Sequence, residues 1–134
     1  MLGKVENNAL LVFGLERICS LSITDHSFTV DKKYNADEVF DNIIGVTITN
    51  ETVQEIILSF TPNQGKYIRS QPIHNSQEIV IDNETEFRIR LYLIPNYELK
   101  ALILSYGNEA KVLEPKTLQN EIKEMVLSME QLYR

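Results

Sequence analysis

The sequence predicts an α+β fold whose elements, from residue 53 onward, follow the order β-α-β-β-α-β with one more helix at the end. Two strand predictions rest on side chains that alternate between apolar and polar over residues 53–60 and 86–94, as on a half-buried strand. Two helix predictions rest on apolar residues that recur every three or four positions over residues 95–107 and from residue 115 onward. This order is that of the split βαβ, or ferredoxin-like, arrangement, in which two helices cover one face of a four-stranded antiparallel sheet.

Residues 1–49 are predicted to form a separate, smaller unit. Residues 9–18 are apolar and branched enough for a strand. A helix follows over residues 34–44, and Asn35 is suited to cap its N-terminus. Polar residues near position 50 mark the boundary with the second domain, residues 50–134.

After its first strand, the second domain is predicted to continue with a helix over residues 61–71 and a hairpin of strands 77–82 and 86–94. The polar stretch "DNET" supplies the turn of the hairpin. Gly65 lies inside the helix, where it lowers the helix propensity, and Pro72 closes the segment.

The last part of the chain is predicted to form a helix, a short strand and a closing helix. Pro95 and Asn96 start the first helix, and Gly107 suits the left-handed position that follows a helix end. "AKVL" then reads as a strand, and Glu114 with Pro115 opens the closing helix. The apolar residues of the closing helix are predicted to line its inner face: Leu118, Ile122, Met125, Val126 and Met129.

Composition narrows the class of protein. Of the 134 residues, 43% are apolar and 24% are charged, which is typical of a folded soluble domain. The net charge of −6 argues against binding nucleic acid through a basic surface. The sequence has no membrane-length apolar run and no signal peptide pattern, and a single cysteine, Cys19, cannot form an internal disulfide. We therefore expect a cytoplasmic protein in which Cys19 is a small buried apolar residue.

No catalytic or metal-binding pattern is present in the sequence. The chain has two histidines, His26 and His74, and neither lies at the spacing of a zinc site. It contains no nucleophile elbow, P-loop or dinucleotide-binding motif. The sequence therefore predicts a protein that is not an enzyme and holds no cofactor.

Residues 67–77 contain the first candidates for ligand binding. His74 and Gln77 lie in the polar connector between a helix and a strand, where binding residues are often found. Tyr67 and Arg69 belong to the helix just before it. The alternative is that these side chains only satisfy backbone groups of the connector.

Arg88, Arg90 and Tyr92 should lie together on the sheet face that the helices leave open, where they form a candidate interaction surface. The alternative is cross-strand pairing of the arginines with Glu55 and Glu78. Because Tyr92 is the only clear aromatic residue on that face, stacking of RNA bases on the sheet is not expected.

Three stretches resemble the C-terminal part of the WYL-domain transcriptional regulators. "VFGLERI" at 12–18 is similar to the segment that closes the Sm-like WYL barrel, and "YNADEVFDNIIGV" at 34–46 matches the linker that follows it. "NYELKALILSYGNEAKVLEPKTLQNEI" at 96–122 is similar to the end of the C-terminal extension of that family, called WCX. The chain departs from the family pattern because it has no Trp and because Gly14 stands where the pattern has an arginine.

The resemblance implies that this chain is part of a bacterial transcriptional regulator. Residues 1–49 would be a strand–helix remnant of the WYL barrel, and residues 50–134 would be the extension. The chain would then be the C-terminal piece of a longer regulator, or a shortened paralogue. Arg17 is the one residue here that matches a WYL-site position and is a candidate ligand-binding residue. The alternative is that it pairs with the neighbouring Glu16.

The resemblance also implies partners. In the intact regulator, the barrel would respond to a nucleotide or nucleic-acid effector, the extension would support a homodimer, and DNA would be bound only by an N-terminal helix-turn-helix domain that this sequence lacks.

Two other hypotheses remain open from the residues alone. The chain is then either an assembly domain without a ligand or an accessory subunit of an enzyme.

Overall fold

The computed structural model of the protein describes residues 2–4, 10–27, 29 and 35–134. Its elements, in chain order, are β1 (Leu2–Lys4), β2 (Leu10–Val12), a short 3₁₀ helix (Leu15–Arg17), α1 (Ala36–Phe40), β3 (Gln54–Phe60), α2 (Pro62–Ser70), β4 (Glu78–Asp82), β5 (Phe87–Leu93), α3 (Tyr97–Ser105), a second 3₁₀ helix (Gly107–Glu109), β6 (Ala110–Glu114) and α4 (Lys116–Leu132). Among the described residues, no helix combines the length and the apolar character needed to cross a bilayer.

The second half of the chain forms a four-stranded sheet in the order β4-β5-β3-β6, and every neighbouring pair is antiparallel. The two central strands pair in register, with Ile56 opposite Leu91 and Leu58 opposite Ile89. β1 and β2 form a separate two-stranded antiparallel sheet. The predicted α+β fold with an antiparallel sheet is therefore confirmed.

The core lies on one face of the four-stranded sheet. Alternate residues of β3 and β5 point to this face because the side chains of a strand alternate between its two sides. Each of the three following helices adds apolar residues to the same cluster, which buries one layer between sheet and helices. The buried members are Ile56, Leu58, Phe60, Ile68, Phe87, Ile89, Leu91, Leu93, Leu99, Ile103, Val112 and Leu118.

Gly65 sits where α2 crosses closest to β5. A Cβ atom at this position would lie 2.5 Å from Cγ of Phe87, so the helix can approach the strand only if residue 65 has no side chain. This contact explains a glycine inside a helix, where propensity alone favours alanine by about 1 kcal/mol. Thr61 caps the same helix, since its hydroxyl accepts a hydrogen bond from the amide of Gln64.

The predicted junction between α3 and β6 has the expected geometry. Gly107 has a φ of +57°, the left-handed conformation predicted for the residue after a helix end. The chain then makes one 3₁₀ turn and enters β6 at Ala110. Pro115 follows as the N-cap of α4.

The N-terminal predictions are only partly correct. The predicted strand 9–18 is wrong beyond residue 12, because residues 15–17 turn into a 3₁₀ helix instead of continuing beside a partner strand. The predicted helix 34–44 is shorter, since regular α-helix covers Ala36–Phe40, with the side chain of Asn35 accepting a hydrogen bond from the amide of Asp37. Residues 1, 5–9, 28 and 30–34 lie outside the described part of the chain.

The prediction that Cys19 is buried is wrong. Its thiol is exposed and donates a 3.6 Å hydrogen bond to the carbonyl oxygen of Arg17. The strand that was expected to bury it ends earlier in the chain, so no apolar layer covers this position.

Gly65→Ala is expected to destabilise the domain by about 1–2 kcal/mol, because the cost of overpacking, about 1–3 kcal/mol, exceeds the gain in helix propensity. Urea unfolding followed by circular dichroism measures the change. Lys66→Ala, at the exposed neighbouring position, is the matched control and should alter stability by less than about 0.5 kcal/mol. A stabilised Gly65→Ala protein would contradict the close contact between α2 and β5.

Candidate functional site

Asn96 fastens the segment that precedes the sheet to the start of α3. It is only 1% exposed. Its side-chain oxygen accepts a hydrogen bond from the amide of Leu99, which caps the helix. Its side-chain nitrogen donates to the carbonyl oxygens of Ile44 (2.8 Å) and Thr47 (3.1 Å). One side chain therefore caps α3 and holds residues 44–47.

Glu98 holds the same segment from the first turn of α3. One carboxylate oxygen accepts hydrogen bonds from the amides of Val46 (3.2 Å) and Thr47 (3.0 Å) and from the Thr47 hydroxyl (2.7 Å). The other oxygen is buried without a hydrogen bond from any described residue. Burial by itself raises the pKa of the Glu98 carboxyl, but the hydrogen bonds from Thr47 and Val46 outweigh it and leave the pKa below its usual value.

We call Asn96, Glu98 and the residues 44–47 that they bind the linker clamp. The sequence predicts that Asn96 starts a helix, but it does not predict the hydrogen bonds of Asn96 to residues 44–47. Those bonds join residues about fifty positions apart, and no local pattern reports such a pairing.

In the first candidate ligand site, the polar side chains of the connector form hydrogen bonds with backbone groups. The side chain of Gln77 accepts a hydrogen bond from the amide of Ile73 and donates one to the carbonyl oxygen of Ile68. Nδ1 of His74 accepts from the amide of Ser76. Ser76, in turn, bonds through its hydroxyl to the backbone of Tyr92 and extends the edge of the sheet. These hydrogen bonds give the side chains of Gln77, His74 and Ser76 a structural role.

Tyr67 and Arg69 diverge from each other on α2. Arg69 forms an ion pair with Asp82 at the end of β4, and its guanidinium lies 5.6 Å from the centre of the Phe87 ring. Tyr67 is 65% exposed and lines a cleft between α2 and α3 together with Leu102 and other residues. His74 and Gln77 line the adjoining recess. Four of the five predicted ligand residues thus lie near each other without converging on one point.

Arg88, Arg90 and Tyr92 lie side by side on the open face of the sheet, as their spacing predicts, but each already has a partner within the chain. The guanidinium of Arg88 donates two hydrogen bonds to the carboxylate of Glu86, at 2.8 and 2.9 Å. Arg90 pairs with Glu55 and Glu78, and the hydroxyl of Tyr92 donates to Glu55.

These pairings shift the pKa values of the groups on the open face. The hydrogen bond from Arg88 lowers the pKa of the Glu86 carboxyl, the charge of Glu55 raises the pKa of Arg90, and the hydrogen bond to Glu55 raises the pKa of the Tyr92 hydroxyl. Each shift favours the protonation state that already exists at neutral pH.

Arg17 stands apart from the other candidates. It closes the 3₁₀ helix after β2, with a side chain that is 87% exposed and lies 3.7 Å from the carboxylate of Glu16. A cleft of about 650 Å³ separates residues 11–17 from residues 46–48 of the clamped segment. Arg17 lines this cleft, so it is placed near the linker clamp and not near α2.

The closing helix α4 is covered only at its N-terminal half. Leu118 is 1% exposed and Ile122 packs on the core. Gln119 donates to the carbonyl oxygen of Val112, and Lys100 forms a 2.6 Å ion pair with Glu121. Met125 is half-buried, but Val126 and Met129 are 50% and 46% exposed, so the prediction that these two residues lie on an inner face is wrong.

The described part of the chain offers no cluster of His, Cys, Asp or Glu side chains that could hold a metal ion. Its chemistry is instead that of a scaffold with one clamped linker, one partly uncovered helix and one open sheet face. These features define an α+β domain built on a four-stranded antiparallel sheet.

Comparison with known protein families finds a match to the WCX domain over residues 52–129, more than half of the chain. The chain belongs to the WCX domain family, the C-terminal extension of WYL-domain regulators. No curated protein matches the sequence. The matched range begins just before β3 and ends near the end of α4, so it covers the whole four-stranded sheet and its helices.

Asn96→Ser is expected to loosen the linker clamp while keeping the cap of α3. Serine retains an oxygen acceptor for the amide of Leu99 but cannot reach the carbonyl oxygens of Ile44 and Thr47, and leaving those groups unpaired costs about 1–3 kcal/mol. Urea unfolding measures the loss, and hydrogen exchange of the Val46 and Thr47 amides should accelerate. The exposed Asn120→Ser is the control, and an unchanged exchange rate in Asn96→Ser would contradict the clamp.

Glu98→Gln is expected to lower stability at pH 7 by about 1 kcal/mol, because hydrogen bonds to a charged acceptor are stronger than those to a neutral one. The folded protein lowers the pKa of Glu98, so its contribution is present above the pKa of the unfolded chain and is lost as the pH falls through the lowered value. The stability difference between the parent protein and Glu98→Gln should therefore shrink between pH 5 and pH 3. Urea titrations across that range measure it.

Glu124→Gln, on the exposed face of α4, is the control for this pH series. It removes a carboxylate that makes no hydrogen bond with the described residues. A difference between the parent and Glu98→Gln that stays constant down to pH 3 would be evidence against the charged state of the clamp.

Proposed function

We propose that this chain is a non-enzymatic regulatory module of a bacterial WYL-type transcriptional regulator, which joins two subunits and transmits the binding of an effector to them. In this proposal residues 50–134 are the WCX extension with ferredoxin-like topology. Residues 1–49 are the end of the WYL barrel and its linker. Membership of the WCX family supports a regulatory role.

The strand order supports the ferredoxin-like assignment. Counted from β3, the sheet order β4-β5-β3-β6 places the third strand between the first and the second, which is what a split βαβ unit requires. α2 connects β3 to β4, and α3 connects β5 to β6. Both helices contribute to the core on the same face of the sheet, through Ile68 and Ile103 among others.

The single observation that carries the subunit-joining role is the apolar row on α4. Leu118, Ile122, Met125, Met129 and Leu132 follow one another at steps of four, three, four and three residues, the spacing of a helix–helix seam. The first two are covered by the chain's own core. The last two are 46% and 83% exposed, and Val126 and Tyr133 beside them are also exposed.

A second copy of the chain is the partner that fits this row. A seam with heptad spacing is matched best by another such seam, and a two-fold axis brings the same helix of two copies together. Solvent exposure of several large apolar side chains in one row is unfavourable for a monomer, since burying each contributes about 1.5–3 kcal/mol. The continuity of the row with the core of the domain aligns the two copies.

The open sheet face is a weaker candidate for the subunit contact. Arg88, Arg90 and Tyr92 would have to give up their bonds to Glu86, Glu55 and Glu78 before they could bind a partner. Covering the apolar row on α4 is favourable by itself, whereas a contact through the open face would first have to break these ion pairs. We therefore place the contact on α4.

The linker clamp supplies the connection to the rest of the regulator. Residues 46–48 line the cleft that also contains Arg17, and Glu98 holds two of the same residues from α3. A change in the cleft would thus act on α3, and through the Lys100–Glu121 ion pair on α4. DNA would be contacted only by a separate helix-turn-helix domain, in keeping with the acidic charge of this chain.

The test of the subunit contact is the oligomeric state of α4 variants. The parent chain is expected to sediment as a dimer whose dissociation depends on concentration, and the double variant Met129→Glu, Leu132→Glu is expected to be a monomer because two charges would be buried in the seam. Gln131→Glu adds a charge to the same helix outside the row and should remain a dimer. The folded state of each variant is checked by circular dichroism.

Two results would overturn the proposed contact. One is a parent chain that stays monomeric across the concentration range. The other is a dimer that survives the double substitution on α4 but is lost on Arg88→Glu, Arg90→Glu, since that result would place the contact on the open sheet face. The regulator class has its own test, because the gene is expected to encode a helix-turn-helix domain upstream of the codon for Met1.

A further inference from the structure

The groove between α2 and α3 is lined by polar side chains that have no partner in the part of the chain that the structure describes. α2 packs on β3 and β5, whereas α3 packs on β6 and α4. The space left between them is a cleft of about 340 Å³. This volume lies at the lower end of the range of small-molecule sites.

α2 and its C-cap residue supply half of the eight lining residues. Gln64, Tyr67, Ile68 and Gln71 are spaced by three, one and three residues, so they form one stripe along the helix. A stripe that faces a neighbouring helix is normally apolar. Here only Ile68 is buried in the core, and the two amides and the phenol point at the groove.

The polar groups of the groove form no hydrogen bonds with described residues, unlike the other candidate binding residues. The side chains of Gln64, Tyr67 and Gln71, and the hydroxyl of Tyr106 across the groove, make no hydrogen bond to any described residue. By contrast, the neighbouring Gln77 uses both ends of its side chain on backbone groups. The groove therefore holds hydrogen-bond donors and acceptors that bond to no described residue.

The walls of the groove set the chemistry of what it can hold. Ile73 and Leu102 provide an apolar floor, and the ring of Tyr106 is held edge-on against Phe60 at 5.4 Å. Burial raises the pKa of the Tyr106 hydroxyl, which keeps it a neutral donor. Among the residues that the structure describes, no Lys, Arg, Asp or Glu lines this cleft, and Arg69 on the same helix forms an ion pair with Asp82. A charged ligand would lose its hydration there without gaining a counter-charge.

We infer that the α2–α3 groove binds a small, uncharged, planar molecule, an aromatic amide or nitrogen heterocycle, which lies against the tyrosine rings and exchanges paired hydrogen bonds with the amides of Gln64 and Gln71. A carboxamide side chain offers a donor and an acceptor next to each other and so recognises the same pair on a ligand. An aromatic ring provides a face on which a planar group stacks. This inference goes beyond the proposed function, because it adds a ligand site within the WCX domain that is separate from the cleft lined by Arg17.

The test uses the neutral nicotinamide as the probe and nicotinate, its carboxylate analogue, as the anionic control. Titration of each into the ¹⁵N-labelled chain is followed by two-dimensional NMR. Nicotinamide is expected to cause saturable shifts of the amides of residues 64–73 and 102–106, with a dissociation constant on the order of millimolar, as suits so small a ligand. Nicotinate and the non-planar cyclohexanecarboxamide are each expected to bind at least about tenfold more weakly.

Variants then assign the binding to the groove. Tyr106→Phe and Gln64→Met each remove hydrogen-bonding atoms that have no partner in the chain, so both proteins should fold normally and bind nicotinamide about fivefold more weakly. Gln131→Met, on the exposed face of α4, is the matched control and should bind like the parent. Equal shifts with nicotinamide and nicotinate, shifts confined to other regions, or unchanged binding in both groove variants would overturn the inference.

The same samples separate this inference from the subunit contact. Sedimentation of the labelled chain reports the oligomeric state independently of the NMR titration. A monomer that binds nicotinamide in the groove would refute the contact through α4 and support the ligand site. A dimer without saturable shifts at residues 64–73 would refute the ligand site and support the contact.

Discussion

Ile56 and Leu58 on β3, together with Ile89 and Leu91 on β5, are fully buried and lie opposite each other in the register of the two central strands. Buried residues of α2, α3 and α4 belong to the same apolar cluster as these four residues, so the position of the three helices depends on that cluster. The same pleat that turns these residues inward turns Arg88, Arg90 and Tyr92 outward. One alternating pattern thus creates both the core and the open face, and a one-residue slip between the strands would exchange them.

Polar side chains then decide how the outer parts join this core. Asn96 and Glu98 bind residues 44–47 from the start of α3, where the first-turn amides and the helix dipole favour a carboxylate. Gln77 and Ser76 satisfy the backbone of the connector and of the sheet edge. The domain uses these groups in its own architecture. The C-terminal half of α4 keeps exposed apolar residues, and the α2–α3 groove keeps polar groups that bond to no described residue.

The predictive value of the sequence differed sharply between the two halves of the chain. From residue 53 the helices and strands fall within about two residues of their predicted bounds, because regular alternation and clear breakers such as Gly107 act locally. In the first half, "VFGLERI" is apolar enough for a strand, yet residues 15–17 form a 3₁₀ helix and Cys19 is exposed. A strand exists only where a partner strand accepts its hydrogen bonds, and composition does not report the partner.

By itself, the sequence determined the order of elements, the buried face of each central strand, the acidic charge and the likeness to WCX domains, since each is carried by residue type and spacing along the chain. Only the tertiary structure decided which polar side chains form hydrogen bonds or ion pairs with described residues and which do not. His74, Gln77, Arg88 and Arg90 looked alike as candidates, but hydrogen bonds and ion pairs occupy them. Bonding partners of His74, Gln77 and Arg88 lie within four residues along the chain, whereas Arg90 pairs with Glu78 on the neighbouring strand β4. Gln64 and Tyr106, unremarkable in sequence, face an open groove because α2 and α3 pack on different strands of the sheet.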